Sequence, residues 1–223
     1  MHFDTMTLLK YGTKIIVLFL CIPIHEFAHA WAATKMGDVT PRYQGRLTLN
    51  PFAHLDIWGS IMIFFVGFGW GKPVQVNPNN FKNYRKGMAI TSAAGPISNL
   101  ICAFIGMILY KVFAVLFTAN LSSMGLYWAA IIFQYIAILN LGLAVFNLIP
   151  IYPLDGQKIL SYFTSAKFNR FMSEYENYIA IAFMILVVTG VLDRPIGYLQ
   201  EGMLWIMDKL TFWVDPILNL IVK

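Results

Sequence analysis

Charge is what this sequence has least of: Asp, Glu, Lys and Arg make up 12% of its 223 residues, while 58% are hydrophobic. A soluble domain carries about 25% charged and about 45–50% apolar residues. That shortage excludes an ordinary water-soluble globular domain and points to an integral membrane protein of a length that suits one bundle. Cysteine is nearly absent. Cys21 and Cys102 stand alone in apolar runs, too few for a disulfide framework or a cysteine-based metal site, and read as buried apolar thiols. Cys21 lies one helical turn before His25, which leaves it a minor part in shaping a site. Acidic residues number 11 against 16 basic ones. The basic residues sit mainly in polar connectors between apolar runs, which fits topology and anionic headgroups and not a nucleic-acid face. Internal repeats and low-complexity tracts are missing too. No cleavable leader is expected, because the first long apolar run is interrupted by histidine and glutamate and must be retained.

A crossing helix needs about 20 apolar residues. Runs of that kind are predicted over residues 14–36, 88–117 and 126–149, with a short one over 178–192. A last, amphipathic run over 196–222 contains Glu201, Asp208, Lys209 and Asp215 and either crosses or lies partly at the interface. Residues 38–87 fit less simply. Their apolar run, 57–70, is short and carries Gly59, Gly67 and Gly69. It is flanked by RLTLNP and KPVQVNP, which alternate as strands do. Backbone without partners cannot face lipid, so this stretch is expected to enter and leave on one side. Lys35, Arg42, Arg46, Lys72, Lys82, Arg85 and Lys86 then share a side with Lys158, Lys167 and Arg170, opposite Lys10, Lys14 and Arg194. Basic connectors stay cytoplasmic, which makes the first and third spans parallel, both ending at the cytoplasm. The expected fold class is an all-α polytopic membrane protein, a bundle of about five to six transmembrane helices with a re-entrant, partly β-like element after the first. The chain reads as one domain, with a core over 14–160 and C-terminal helices over 161–223.

The first run contains His25-Glu26-Phe27-Ala28-His29. Histidines four residues apart project from one helix face, so both rings can reach one metal ion. Glu26, beside the first of them, is placed to take a proton from water. Zn²⁺ accepts imidazole and carboxylate ligands and leaves a position open for water. An ionisable side chain in mid-bilayer costs at least about 2.5–3.5 kcal/mol and is functional by default; three within five residues are poor core filler. The bland alternative is a pair of buried histidines bonded to a neighbouring helix. The third run ends in Asn147-Leu148-Ile149-Pro150-Ile151-Tyr152-Pro153-Leu154-Asp155-Gly156. Its prolines break the helix, and Gly156 permits a turn that could point Asp155 back into the bundle. Taken alone, Asp155 is equally a solvated or capping carboxylate.

HEFAH in one membrane helix and NLIPIYPLDG at the end of a later one together resemble the site-2 protease family of intramembrane metalloproteases, whose paired motifs are HExxH and NxxPxxPLDG. GFGWGKPVQVN, AAGPISN and NPFAHLD resemble the family as well, and the likeness covers about residues 25–160. It implies Zn²⁺ held by His25, His29 and Asp155, with Glu26 as general base. It also implies Asn147 as the amide that steadies an oxyanion or the substrate backbone, against a role bonding the broken helix end. Asn99, in AAGPISN, is a partner for a ligand or, preferably, a packing contact. Ile57 stands where the family commonly has proline. His54 is as readily structural as functional.

The implied reaction is hydrolysis of peptide bonds in membrane-protein substrates, within or near the bilayer, in a compact form without a PDZ module. A locally unwound substrate would be held by strand addition at the re-entrant element. The partners implied are a transmembrane substrate, the lipid bilayer, and a regulatory protein or a second copy of the chain; nucleic acid is not among them. The setting implied is a prokaryotic plasma membrane, with the site toward the cytoplasm. Two other functions use the same residues: a catalytically silent metal-binding scaffold, which has no need of Glu26, and a metal-ion transporter, which needs further polar residues along a route.

Overall fold

The computed structural model describes residues 5–67 and 69–221; His2, Phe68 and Val222 lie outside them. Helix α1 (Thr5–Ile16) runs through a π-helical turn at Val17–Cys21 into α2 (Ile22–Lys35). A single turn, α3 (Thr40–Tyr43), and α4 (Ile57–Phe65) follow. The long α5 (Tyr84–Ala119) and α6 (Met124–Leu148) form an antiparallel pair, with Asn83 capping the first. Then come α7 (Asp155–Phe163), α8 (Ala166–Glu174), α9 (Glu176–Val188), α10 (Asp193–Leu210) and α11 (Val214–Ile221).

Among the described residues, three helices are long and apolar enough to cross a membrane: residues Tyr11–Lys35, α5 and α6. A fourth crossing exists if α8 and α9, bent by 68°, count as one broken span. The C-terminal run expected over 196–222 is instead two helices parted at Thr211–Trp213. As expected, α10 is amphipathic, with Asp193, Arg194, Glu201, Asp208 and Lys209 along it, and it is not among the helices apolar enough to cross. On α5, Ile97, Ile101 and Ile105 recur every four residues, each about half exposed. A helix that turns its apolar stripe outward and its small and polar residues inward is solvated by lipid. Where α5 crosses α6, Gly106 lies so near Ala137 that a Cβ would stand 3.0 Å from the Ala137 nitrogen. The chain is an all-α integral membrane protein.

The stretch between α2 and α5 forms a hairpin. It leaves from Asp56, whose side chain caps α4 through the Gly59 N–H at 2.8 Å. Its tip reaches the last turn of α1, where Lys14 Nζ donates to the Phe64 carbonyl. It turns at Gly67, whose φ of +90° suits only glycine. The return leg packs on the outgoing one so closely that Gly59 and Gly69 have no room for a Cβ. Lys72 N–H donates to the His54 carbonyl at 2.8 Å, closing the base. Entry and exit therefore lie together, as the re-entrant reading expects. The expected strand pairing shrinks to one antiparallel bridge, Leu55 with Gly71; no strand forms among the described residues.

Two buried polar side chains hold the hairpin base. Arg46 donates to the carbonyls of Ala53 on one leg and Lys72 on the other. Asp38 is fully buried. Its Oδ1 accepts from Thr40 N, Thr40 Oγ1 and Asn80 Nδ2 at 3.1, 2.6 and 2.7 Å, and its Oδ2 from Asn77 N at 2.7 Å. Burial pushes this carboxyl up, but the four donors outweigh burial and hold it below the usual carboxylate range. Its contribution to stability is therefore complete above about pH 4, the unfolded value, and is lost as pH falls through the lower native value. Asp38→Ala is expected to cost about 2 kcal/mol at neutral pH and to flatten the acid limb of stability. The thermal midpoint of the detergent-solubilised protein across pH 3–7 checks both.

Candidate metal centre

Helix α2 carries the HEFAH residues, with His25 and His29 on the face that meets α5. His25 and His29 project together, ring centroids 4.5 Å apart. They fit against α5 because position 95 is glycine: a Cβ there would strike His29 Nε2 and both Cε1 atoms. The third donor comes from α7. After Leu148 the chain breaks at Pro150 and Pro153 and re-enters a helix at Asp155. Gly156 lies against the Leu148 and Ile149 carbonyls with no space for a side chain. Its role is close backbone approach, which draws Asp155 back onto α2, and not a left-handed turn.

His25 Nε2, His29 Nε2 and Asp155 Oδ2 converge, with separations of 3.0 Å between the rings and 3.2 and 3.1 Å from each ring to the carboxylate. All three residues are buried, and they form the one group of three or more metal-ligating side chains found among the described residues. That spacing suits one ion taking ligands at about 2.0–2.2 Å.

Hydrogen bonds fix the protonation that such a site needs. The Ile136 carbonyl can only accept, so Asn140 Nδ2 donates to it, at 2.9 Å. Asn140 Oδ1 then accepts from Asn99 Nδ2 at 2.7 Å, which leaves Asn99 Oδ1 to accept from His25 Nδ1 at 2.5 Å. His29 Nδ1 donates to the Thr91 carbonyl at 2.8 Å. With both Nδ1 atoms so committed, each ring turns its Nε2 toward Asp155, and in the neutral form that atom presents a lone pair. Three lone pairs at that range repel one another, and a cation resolves the repulsion. The residues fit a metal ion.

Glu26 lies next to the centre, with Oε2 accepting from Val74 N at 3.0 Å on the hairpin's return leg. A cavity of about 850 Å³ opens over these residues, lined by His25, Glu26, His29, Asp155, Asn147 and Lys158 among others. Asn147 spends one amide N–H on the Leu143 carbonyl at 3.0 Å. Asn99, favoured above as a packing contact, instead bonds His25. Asn140 was missed, although an asparagine within ILNLG of an apolar helix was a visible signal. It also donates to Cys21 Sγ at 3.2 Å. His54 is fully buried and bonds the Thr48 carbonyl at 2.7 Å; it stands outside the metal-ligating group.

A buried His-His-Asp donor set beside a carboxylate, inside apolar helices, defines the class of membrane-embedded metallopeptidases. The chain belongs to peptidase family M50, the site-2 protease family, whose profile matches residues 13–191. It is 41% identical to "Putative zinc metalloprotease YwhC" of Bacillus subtilis over 209 residues, covering 92% of this chain and 89% of that one. It is 28% identical to "Putative zinc metalloprotease Rip2" of Mycolicibacterium smegmatis over 216 residues, covering 92% and 78%. Rip2 of Mycobacterium tuberculosis is 28% identical over 215 residues with the same coverage. No solved structure matches the chain at a significant level.

Asn99→Leu keeps the volume and removes the bond to His25. Metal affinity should fall about 10- to 100-fold with helix content unchanged, as read by chelator competition and circular dichroism.

Proposed function

We propose that this protein is a zinc metalloprotease that hydrolyses peptide bonds of membrane-protein substrates within or near the bilayer. The observation that carries this reading is the convergence of His25 Nε2, His29 Nε2 and Asp155 Oδ2 within 3.0–3.2 Å, with Glu26 beside them in an apolar bundle. His25, His29 and Asp155 hold the zinc; the names of the relatives support that choice of ion. Bound zinc would supply Lewis acidity, which lowers the pKa of water to about 7 and polarises a peptide carbonyl.

The chain's own groups do the rest. Glu26 takes the proton of the attacking water and delivers it to the departing amine. The Val74 N–H fixes one of its oxygens, which limits the carboxylate to one orientation and leaves Oε1 for the proton. Asn147, which lines the cavity and spends one N–H on Leu143, supplies the other to the oxyanion. The substrate lies extended in the cavity against the return leg of the hairpin, as a peptide bond must leave its helix before water can attack it. Water enters from the end that carries Lys35, Lys72 and Lys158, assigned to the cytoplasm by the excess of basic residues there. A prokaryotic plasma membrane is the proposed setting, with selection of substrates by the bundle, a regulatory protein or a second copy of the chain.

Cleavage of a single-span peptide by the purified protein tests this. Glu26→Gln should lower the rate by at least about 100-fold while zinc content stays at the wild-type level; equal cleavage by both removes Glu26 as the base. Asp155→Ala should lose zinc as well as activity. Unchanged zinc content in that variant would take Asp155 out of the ligand set.

A further inference from the structure

The family profile ends at residue 191, before α10, yet this helix reaches the catalytic cavity. Gln200, on α10, lines it together with His25, Glu26 and Asp155. The placement is built in. Met207 of α10 is buried with Ala103 and Leu141, and Met203 and Leu204 pack on the same cluster. Next to Met207, Asp208 pairs with the buried Lys111 of α5 at 2.9 Å, and Lys111 also meets Asp215 at 2.8 Å, pinning the junction of α10 and α11. Position 142 of α6 is a glycine, and a Cβ there would stand 3.3 Å from Gln200 Nε2. The amide therefore settles directly on the α6 backbone, where Nε2 donates to the Ile138 carbonyl at 3.1 Å.

That bond consumes one side of the amide and orients the other. Gln200 Oε1 accepts from no described residue. An acceptor on a residue that lines the catalytic cavity, with no protein partner, is suited to a donor that arrives with a ligand. Depth agrees: Ile138 and Gly142 bracket Asn140, the residue linked through Asn99 to His25. Gln200 thus stands at the level of the metal centre, on a different element from Glu26, Asn147 and the hairpin. An extended substrate offers backbone N–H groups on both edges. One edge faces the hairpin's return leg, and the other needs an acceptor.

We propose that Gln200 is a substrate-positioning residue, whose Oε1 accepts a backbone N–H of the extended substrate and so sets the register of the scissile bond. This rests on the protease reading above. It places part of the substrate site on α10, in a segment that carries no family motif.

The test is a cycle between protein and substrate in phosphatidylethanolamine–phosphatidylglycerol vesicles. A quenched-fluorescent single-span peptide is made with its amides replaced one at a time by esters, which deletes one N–H each. In the wild type, one ester should raise KM about three- to tenfold with a smaller effect on kcat. Gln200→Leu should show that loss with the all-amide peptide and no further loss with that ester, at unchanged zinc content. The same ratios should appear as binding affinities in the Glu26→Gln background, read by fluorescence anisotropy without turnover. If Gln200 merely ties α10 to α6, the Leu variant stays as sensitive as wild type to every ester, and the proposal falls. If wild type fails to cleave, the protease reading falls, while the binding ratios still decide whether Gln200 meets the peptide.

Discussion

Two imidazole lone pairs and a carboxylate oxygen, held about 3 Å apart away from bulk water, repel one another, and much of this bundle exists to keep them there. Left free, His25, His29 and Asp155 would rotate apart or take up protons. Each is restrained by something outside itself. The Asn99–Asn140 amide chain turns His25, the Thr91 carbonyl turns His29, and the contact of Gly156 with the end of α6 presses Asp155 inward. Buried polar groups of this kind are stable only when the whole chain of bonds is satisfied. Here it runs from the Ile136 carbonyl to the metal site without a gap.

The same logic accounts for the small residues. Glycines at 95, 106 and 156 carry no Cβ because another group occupies that space: two imidazoles, the α6 backbone and two α6 carbonyls respectively. Helices in lipid gain little from burying apolar surface against one another, so close backbone approach and shared hydrogen bonds hold them together. The hairpin follows suit, with Gly59 against Gly69 and with Arg46 and Asp38 gathering its backbone groups. Its return leg delivers the Val74 N–H to Glu26, so the element that shields the hairpin backbone from lipid also orients the proposed base.

Read along the chain, the ligand pair His25 and His29 was legible because an α-helix fixes the angle between residues four apart, whatever surrounds it. The apolar runs of α2, α5 and α6 were legible for an equally local reason, the width of a bilayer. Asp155 was ambiguous from its neighbours alone and became a candidate ligand only through the paired motif. Asn99 was visible but misjudged, and Asn140 and Gln200 were passed over, since an amide in an apolar helix does not announce its partner. The strand-like alternation flanking the hairpin was genuine sequence pattern, but backbone pairing depends on register across a loop, and only one bridge formed.

What the sequence determined by itself, then, was the solvent and the chemistry: a membrane-embedded helical protein with histidines at ligand spacing and a carboxylate next to them. Those properties are set by hydrophobicity and by helical geometry within a few residues. The tertiary structure decided which carboxylate closes the triangle, which nitrogen of each histidine points into it, and that α10 comes back to the cavity. Each of these depends on side chains tens of residues apart in sequence, brought together by a glycine or an amide whose partner lies on another helix.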